Sequence, residues 1–309
     1  MNDLLPQELR VIAAVAEARG FSAAARTLGM TQSAVSHSVR ASERKIGAVL
    51  FERGRLGAAP TPAGDVAAGH ARRVLRLLDV LGAEARGAAA ASGGASGGAD
   101  VVSGPLRIAA FRSAALHLLP PVLARLTARH PGIEPVVRMV REVGRGTVGE
   151  VLDGRADLAL ATLGAASPVP PGLVGGVLLE EEYALVHPAG HATPRTLPLV
   201  DWAENCTSYT RDWWAAQDWI PRATVEAEDD GAVLLMVSRG LGMAIMPGLS
   251  LYGAPDGTEI TALGPDRPTR RVGYVTTPEQ ARSRVVQALI RELRAERAKA
   301  AVSDSRKSE

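Results

Sequence analysis

Gln32, Ser33, Ser36, His37 and Arg40 fall in one short stretch, at spacings that set them on one side of a helix. Their amide, hydroxyl, imidazole and guanidinium groups can exchange hydrogen bonds with base-pair edges, and the short ones do so without crowding a groove. The other side of that helix carries Val35, Val39 and Ile46 at helical spacing. Thr31 is placed to cap it, and Gly29 to end a preceding helix in the left-handed region. Ser22 is a candidate cap of that preceding helix, which packs through Ala24, Ala25 and Leu28. The pattern predicts a helix-turn-helix whose second helix enters a major groove of duplex DNA, with Ser22, Thr31 and Thr61 as further candidates for DNA contact. On helix pattern alone an ordinary αα-corner reads equally well.

A second set of polar residues lies farther along. Arg112 and Ser113 follow an apolar strand (106–111) at the start of a helix, Thr147 follows a second strand, Thr162 a third, and Tyr209 with Thr210 a later one. Open α/β sheets bind ligands at the carboxyl ends of strands, where helix N-termini offer free N–H groups. These six residues therefore predict one cleft holding a small, anionic effector. Arg112 is either the anion hook or one half of a salt bridge that keeps the cleft closed. Trp202, Trp213, Trp214 and Trp219 read as core or interface filler in preference to a stacking platform.

Catalysis finds little support. A nucleophile elbow, a phosphate loop, a dinucleotide fingerprint and a metal-spaced His/Cys cluster are all missing, and the six histidines are scattered. Glu180, Glu181 and Glu182 read as a solvated strand edge. The single Cys206 excludes an internal disulfide. No enzyme activity, metal or cofactor is expected.

The positioning elements follow from the flanking sequence. Leu9, Ile12, Val15 and Ala16 form a helix stripe that can cover the two helices. Leu50 to Arg53, with Gly54, Gly57 and Thr61, predict a two-stranded wing on which Arg53 and Arg55 are candidates for phosphate or minor-groove contact. Residues 62–86 form a long helix whose Ala67, His70 or Ala71, Val74, Leu77 or Leu78, and Leu81 repeat as a coiled-coil seam. Residues 87–104 are Gly/Ser/Ala-rich and predict a flexible hinge. Residues 105–298 alternate strand and helix, which predicts a parallel sheet in two lobes, 105–163 with 268–298 and 164–267. CTSYT (206–210) is read as a strand of the second lobe, and 299–309 as a disordered tail.

Composition agrees with this division. The 309 residues are 46% hydrophobic and 22% charged, a globular balance. Net charge is only +2, yet residues 1–86 hold 12 Lys/Arg against 8 Asp/Glu, so the basic share lies with the helix-turn-helix. The acidic N-terminus and the lack of a long apolar run predict a cytoplasmic protein without a membrane partner.

Glu17, Gly20, Phe21, Ser22, Ala24, Ala25, Leu28, Gln32 to Ser36, Glu43, Gly47, Leu50, Phe51, Arg53 and Thr61 to Gly64 resemble, in order and spacing, the winged helix-turn-helix of LysR-type transcriptional regulators. Ser38 and Ser42 depart from the pattern, and Ser42 is expected to weaken a core contact. Leu152 to Leu158, Glu181 to Pro188 and Gly240 to Pro247 are similar to the effector domain of the same family. The resemblance implies a winged helix-turn-helix (residues 1–61), a dimerisation helix (62–86) and a two-lobed α/β domain akin to periplasmic binding proteins. It also implies a homodimer or homotetramer on an inverted-repeat operator, contact with RNA polymerase where the regulator activates, and control by the effector. A solute receptor tethered by its N-terminal third is the remaining rival.

Overall fold

The computed structural model describes residues 3–54, 57–92, 102–164, 169–202 and 208–305. The N-terminal unit comprises α1 (Pro6–Ala18), α2 (Phe21–Leu28), α3 (Gln32–Ile46) and an antiparallel wing, β1 (Phe51–Gly54) with β2 (Gly57–Pro60). Its core joins Val11, Ile12 and Val15 of α1 to Ala24 and Ala25 of α2, Val35 and Val39 of α3, and Leu50, Phe51 and Ala58 around the wing. Gly29 ends α2 at φ 63°, as its position implied, and the Thr31 hydroxyl caps α3 by accepting from the Ala34 amide at 3.2 Å. Ser22 does not cap α2. That helix is capped two residues earlier, at Gly20, and the Ser22 hydroxyl donates to Gln32. Ser42 is fully buried, and its hydroxyl is satisfied by donating back to the Ser38 carbonyl at 3.0 Å.

The next helix, α4 (Pro62–Ser92), is 31 residues long, about 46 Å at 1.5 Å per residue. It overruns the expected start of the hinge because the alanines after Gly87 are strong helix formers. Of the predicted hinge, 93–101 lies outside the described residues. Ala68 and Ala71 of α4 pack into the N-terminal core, so Ala71 is not free for a seam, whereas Val74, Leu77, Leu78 and Leu81 are exposed.

The remaining chain forms β3 (Ser103–Ala110), a π-helical turn (Ala114–Leu118) leading into α5 (Leu119–Arg129), β4 (Gly132–Met139), α6 (Gly146–Leu152), β5 (Leu158–Leu163) and β6 (Val174–Pro188). After these come β7 (Leu199–Trp202), α7 (Ser208–Ala215), β8 (Ala223–Ala227), α8 (Asp230–Ser238), β9 (Ala244–Pro247), α9 (Gly248–Leu251), β10 (Thr258–Ala262), β11 (Thr269–Thr276) and α10 (Arg284–Ser305). One sheet runs β10-β6-β11-β5-β3-β4, with β9 also on β6.

The sheet is mixed. β3 pairs in parallel with β4 and β5, as expected, but β11 is antiparallel to both neighbours and β6 is antiparallel to β9 and β10. β6 pairs with β11 from Val174 to Glu182 and with β9 and β10 from Tyr183 onward, so a single strand belongs to both lobes. Two further expectations fail. Ser208 to Thr210 lie on α7, not on a strand, and the strand there is Leu199–Trp202; Cys206 is outside the described residues. The supposed tail is helical to Ser305, since Ala, Arg, Glu and Lys continue the pattern of α10. The tryptophans are structural, as expected: Trp202 is buried, and Trp213, Trp214 and Trp219 pack on the second-lobe core.

Gly64 in the first turn of α4 sits where a Cβ would come within 1.9 Å of the Leu50 carbonyl oxygen. Gly64→Ala is therefore expected to destabilise the N-terminal unit by about 2 kcal/mol, read as a lower urea midpoint of the ellipticity at 222 nm.

Candidate nucleic-acid interface and interlobe cleft

The first site is built on α3. With Val35 and Val39 packed inward, Gln32, Ser33, His37 and Arg40 are exposed and Ser36 is half-buried. Two hydroxyls fix the entry to this face. Ser22 Oγ donates to Gln32 Oε1 at 2.9 Å, which leaves the amide nitrogen of Gln32 pointing away as a donor, and Thr31 Oγ1 lies 3.0 Å from Ser33 Oγ.

The far end of α3 is anchored as well. Glu43 Oε1 accepts from the Leu50 amide at 2.9 Å, and Lys45 Nζ reaches Glu8 at 2.7 Å. Burial would raise the Glu8 carboxyl, but the Leu5 amide and the Lys45 ammonium outweigh it and hold the group below its ordinary value. The stabilisation is thus present above the ordinary carboxylate range and is lost as acid titrates the folded pair. Thr61 is committed to structure: its Oγ1 donates to the Val49 carbonyl at 2.7 Å and accepts from the Gly64 amide at 3.0 Å, capping α4. The Arg53 side chain and Arg55 lie outside the described residues.

The second site lies between the lobes. Ser113 is buried beside Arg270, whose Nη2 lies 3.4 Å from Ser113 Oγ and whose guanidinium sits 5.0 Å from the centroid of the Phe111 ring. Arg270 Nε binds Glu181 Oε1 at 2.5 Å, and Glu181 Oε2 accepts from the Leu249 amide at the start of α9. Burial works against the charge on Arg270. Glu181, backed by Tyr183 and Glu142, more than offsets that and keeps the guanidinium ionised.

Thr147 and Thr162 are brought together by Glu142. This carboxylate accepts from the Thr147 amide (3.1 Å), the Thr147 hydroxyl (2.6 Å) and the Thr162 amide (3.3 Å). Across the cleft, Arg112 Nη1 binds Asp230 Oδ1 at 2.8 Å and its Nε lies 3.7 Å from Asp229, which caps α8. Gly231 makes room for this guanidinium, because a Cβ there would come within 2.3 Å of it. The salt bridge allowed for Arg112 is thus present, with Asp230 as its partner. Thr210 is fully buried on α7, and the Tyr209 side chain is outside the described residues.

Sequence reasoning missed Arg270, Glu181 and Glu142. Alternation along β6 could have marked Glu181 as inward between two outward glutamates, but Arg270 and Glu142 stand on segments with no such signal.

Residues 6–65 match the family described as bacterial regulatory helix-turn-helix protein, lysR family, and residues 99–298 match LysR substrate binding domain. The chain belongs to the LysR family. A relative from Synechococcus elongatus, the probable HTH-type transcriptional regulator LrrA, is 34% identical over 277 residues, covering 86% of this chain and 87% of its own. A full-length OxyR variant from Pseudomonas aeruginosa shares the fold at TM-score 0.68 and 22% identity, covering 94% of this chain and 95% of that one. Full-length CbnR complexed with its target DNA does so at TM-score 0.63 and 21% identity, covering 95% and 100%. The protein is thus a LysR-type DNA-binding transcriptional regulator with an effector-binding domain, and not an enzyme. Among the described residues no helix is long and apolar enough to cross a membrane.

In this LysR-type chain the two units are joined by more than the connector. Arg76 on α4 forms a buried ion pair with Asp157, at the root of β5. Asp157 Oδ2 also accepts from the Arg107 amide of β3 at 2.8 Å, and its carbonyl accepts from Thr276 Oγ1 of β11 at 2.5 Å. Gly154, at φ 67°, lets the α6–β5 turn close on Arg72 and Arg73 of α4. Burial pushes the Asp157 carboxyl up and the Arg76 guanidinium down from their ordinary values, while their attraction resists both. Arg76→Ala leaves that carboxylate buried without its partner. It is expected to cost about 3 kcal/mol in urea unfolding and to expose α4 to proteolysis near residue 76.

Proposed function

We propose that the protein binds an inverted-repeat operator as a dimer, or as a pair of dimers, and that a small anionic effector in the interlobe cleft shifts how it engages the promoter and RNA polymerase. The observation that carries the DNA reading is the α3 face: Gln32, Ser33, His37 and Arg40 stand exposed over a packed Val35/Val39 side, with Gln32 held by Ser22. Gln32, Ser33, Ser36, His37 and Arg40 read bases. Ser22 orients Gln32, and Arg53 and Arg55 on the wing contact phosphates. Val74, Leu77, Leu78 and Leu81 form the stripe through which two copies pair, setting half-sites about one helical turn apart.

In the cleft, the effector acts through Arg112, Ser113, Thr147 and Thr162. Because Asp230 already holds Arg112, an acidic effector has to displace a carboxylate, and that exchange couples binding to the opening or closing of the lobes.

Gel shifts on a selected operator test the interface. Gln32→Ala is expected to flatten discrimination between operator variants, at a cost of about 1–3 kcal/mol, while Arg53→Ala weakens every sequence alike and lowers the salt slope by about one. A purified chain that stays monomeric and prefers no duplex over random competitor would falsify the reading. For the cleft, a thermal-shift panel of small carboxylates and amines is expected to show acids stabilising the native protein by a few degrees but not Arg112→Ala. A response confined to amines rules out an anionic effector.

A further inference from the structure

The cleft lies at the carboxyl ends of β3 and β5. The opposite end of the same sheet carries another opening. Between the start of β6, the end of β11 and α10 there is a cavity of about 420 Å³, walled by Gly175, Tyr274, Thr276, Gln287, Arg291 and Arg294. The register fixes its distance from the cleft. Arg271 pairs with Leu163 at the cleft end of β5 and Thr276 with Leu158 at the other, so five residue steps, roughly 16 Å, lie between them.

The lining has a consistent chemistry. On α10, Glu292 and Glu296 are engaged by Arg125 and Arg129 of α5, while Arg291 and Arg294 form no ion pair among the described residues. Spaced three apart, the two cations share a helix face. Arg294 Nη2 donates to the Tyr274 hydroxyl at 2.7 Å and its guanidinium lies 5.8 Å from the centre of that ring. A phenol that accepts from Arg294 keeps its own proton for another acceptor. Facing Tyr274 across the strand pair is Gly176, where a Cβ would rest 3.4 Å from the ring, so the ring, itself largely buried, has no side chain over it at this position. Val174 and Ile290 add apolar wall.

We propose that this cavity is a second binding site, separate from the interlobe cleft, for a small organic anion: a carboxylate or phosphate ester on a flat apolar body. Arg291 and Arg294 hold the anionic head, the Tyr274 hydroxyl donates to it, and the body lies against Tyr274, Val174 and Ile290. Thr276 in the same wall donates to the Asp157 carbonyl, so an occupant sits one hydrogen bond from the residue that grips α4.

Fluorine NMR of 4-fluorophenylacetate and 4-fluorophenyl phosphate titrated with the full chain tests this. At least one probe is expected to bind saturably, to be weakened at least tenfold by Arg291→Gln with Arg294→Gln, and to be blocked by Gln287→Trp, which fills the mouth from an exposed position. Arg112→Ala is expected to leave it unchanged. Circular dichroism melts confirm that each variant is folded. Saturable binding of neither probe, binding that survives the double change, equal loss with Arg112→Ala, or displacement by equimolar inorganic phosphate would each overturn the proposal.

Discussion

Asp157 is the constraint on which the arrangement of the two units depends. One buried residue ties four segments: its carboxylate takes the Arg76 guanidinium of α4 and the Arg107 amide of β3, and its carbonyl takes Thr276 of β11 while its own chain enters β5. An ionised carboxylate away from water is tolerated only when its lone pairs are filled, so these partners are needed together. The grip on α4 is nevertheless incomplete. The Nε groups of Arg72 and Arg76 are buried without hydrogen-bond partners, and each such donor costs about 1–3 kcal/mol. The contact is therefore specific in geometry and modest in net strength.

The cleft follows a related logic. Among the described residues between the lobes, Arg112 is matched by Asp230, Arg270 by Glu181, and the Thr147 and Thr162 amides by Glu142. These internal pairs meet one another's electrostatic demands. On the cleft reading proposed above, a ligand gains only the difference between its own contacts and these internal ones, which favours selectivity over affinity.

The N-terminal unit was largely legible because its signals are local. Gly29, Thr31 and the Val35/Val39 spacing each dictate backbone or burial within a turn or two. Legibility fell where the outcome rests on distant pairing. CTSYT has strand-like residues, but Leu199 to Trp202 takes the place beside β8, and nothing near residue 206 announces that. The parallel expectation failed at β11, whose direction is set by its return between β5 and β6 after a long excursion. The capping expectation for Ser22 failed, since capping is a local rule and its bond to Gln32 spans ten residues. Asp157 lay inside a recognised motif, yet its partner is 81 residues away.

The shared strand β6 has a mechanical corollary. The lobe boundary falls at the Glu182–Tyr183 peptide, with hydrogen-bonded neighbours on both sides and the Tyr183 amide tied to the Pro268 carbonyl at 3.0 Å. Rotation of one lobe against the other cannot concentrate at a slack joint in this strand and must spread as added twist over several residues. Small angles bend the ladder elastically, and larger ones would break its bonds, so the stroke is short and self-restoring, closer to a torsion bar than to a door on a pin.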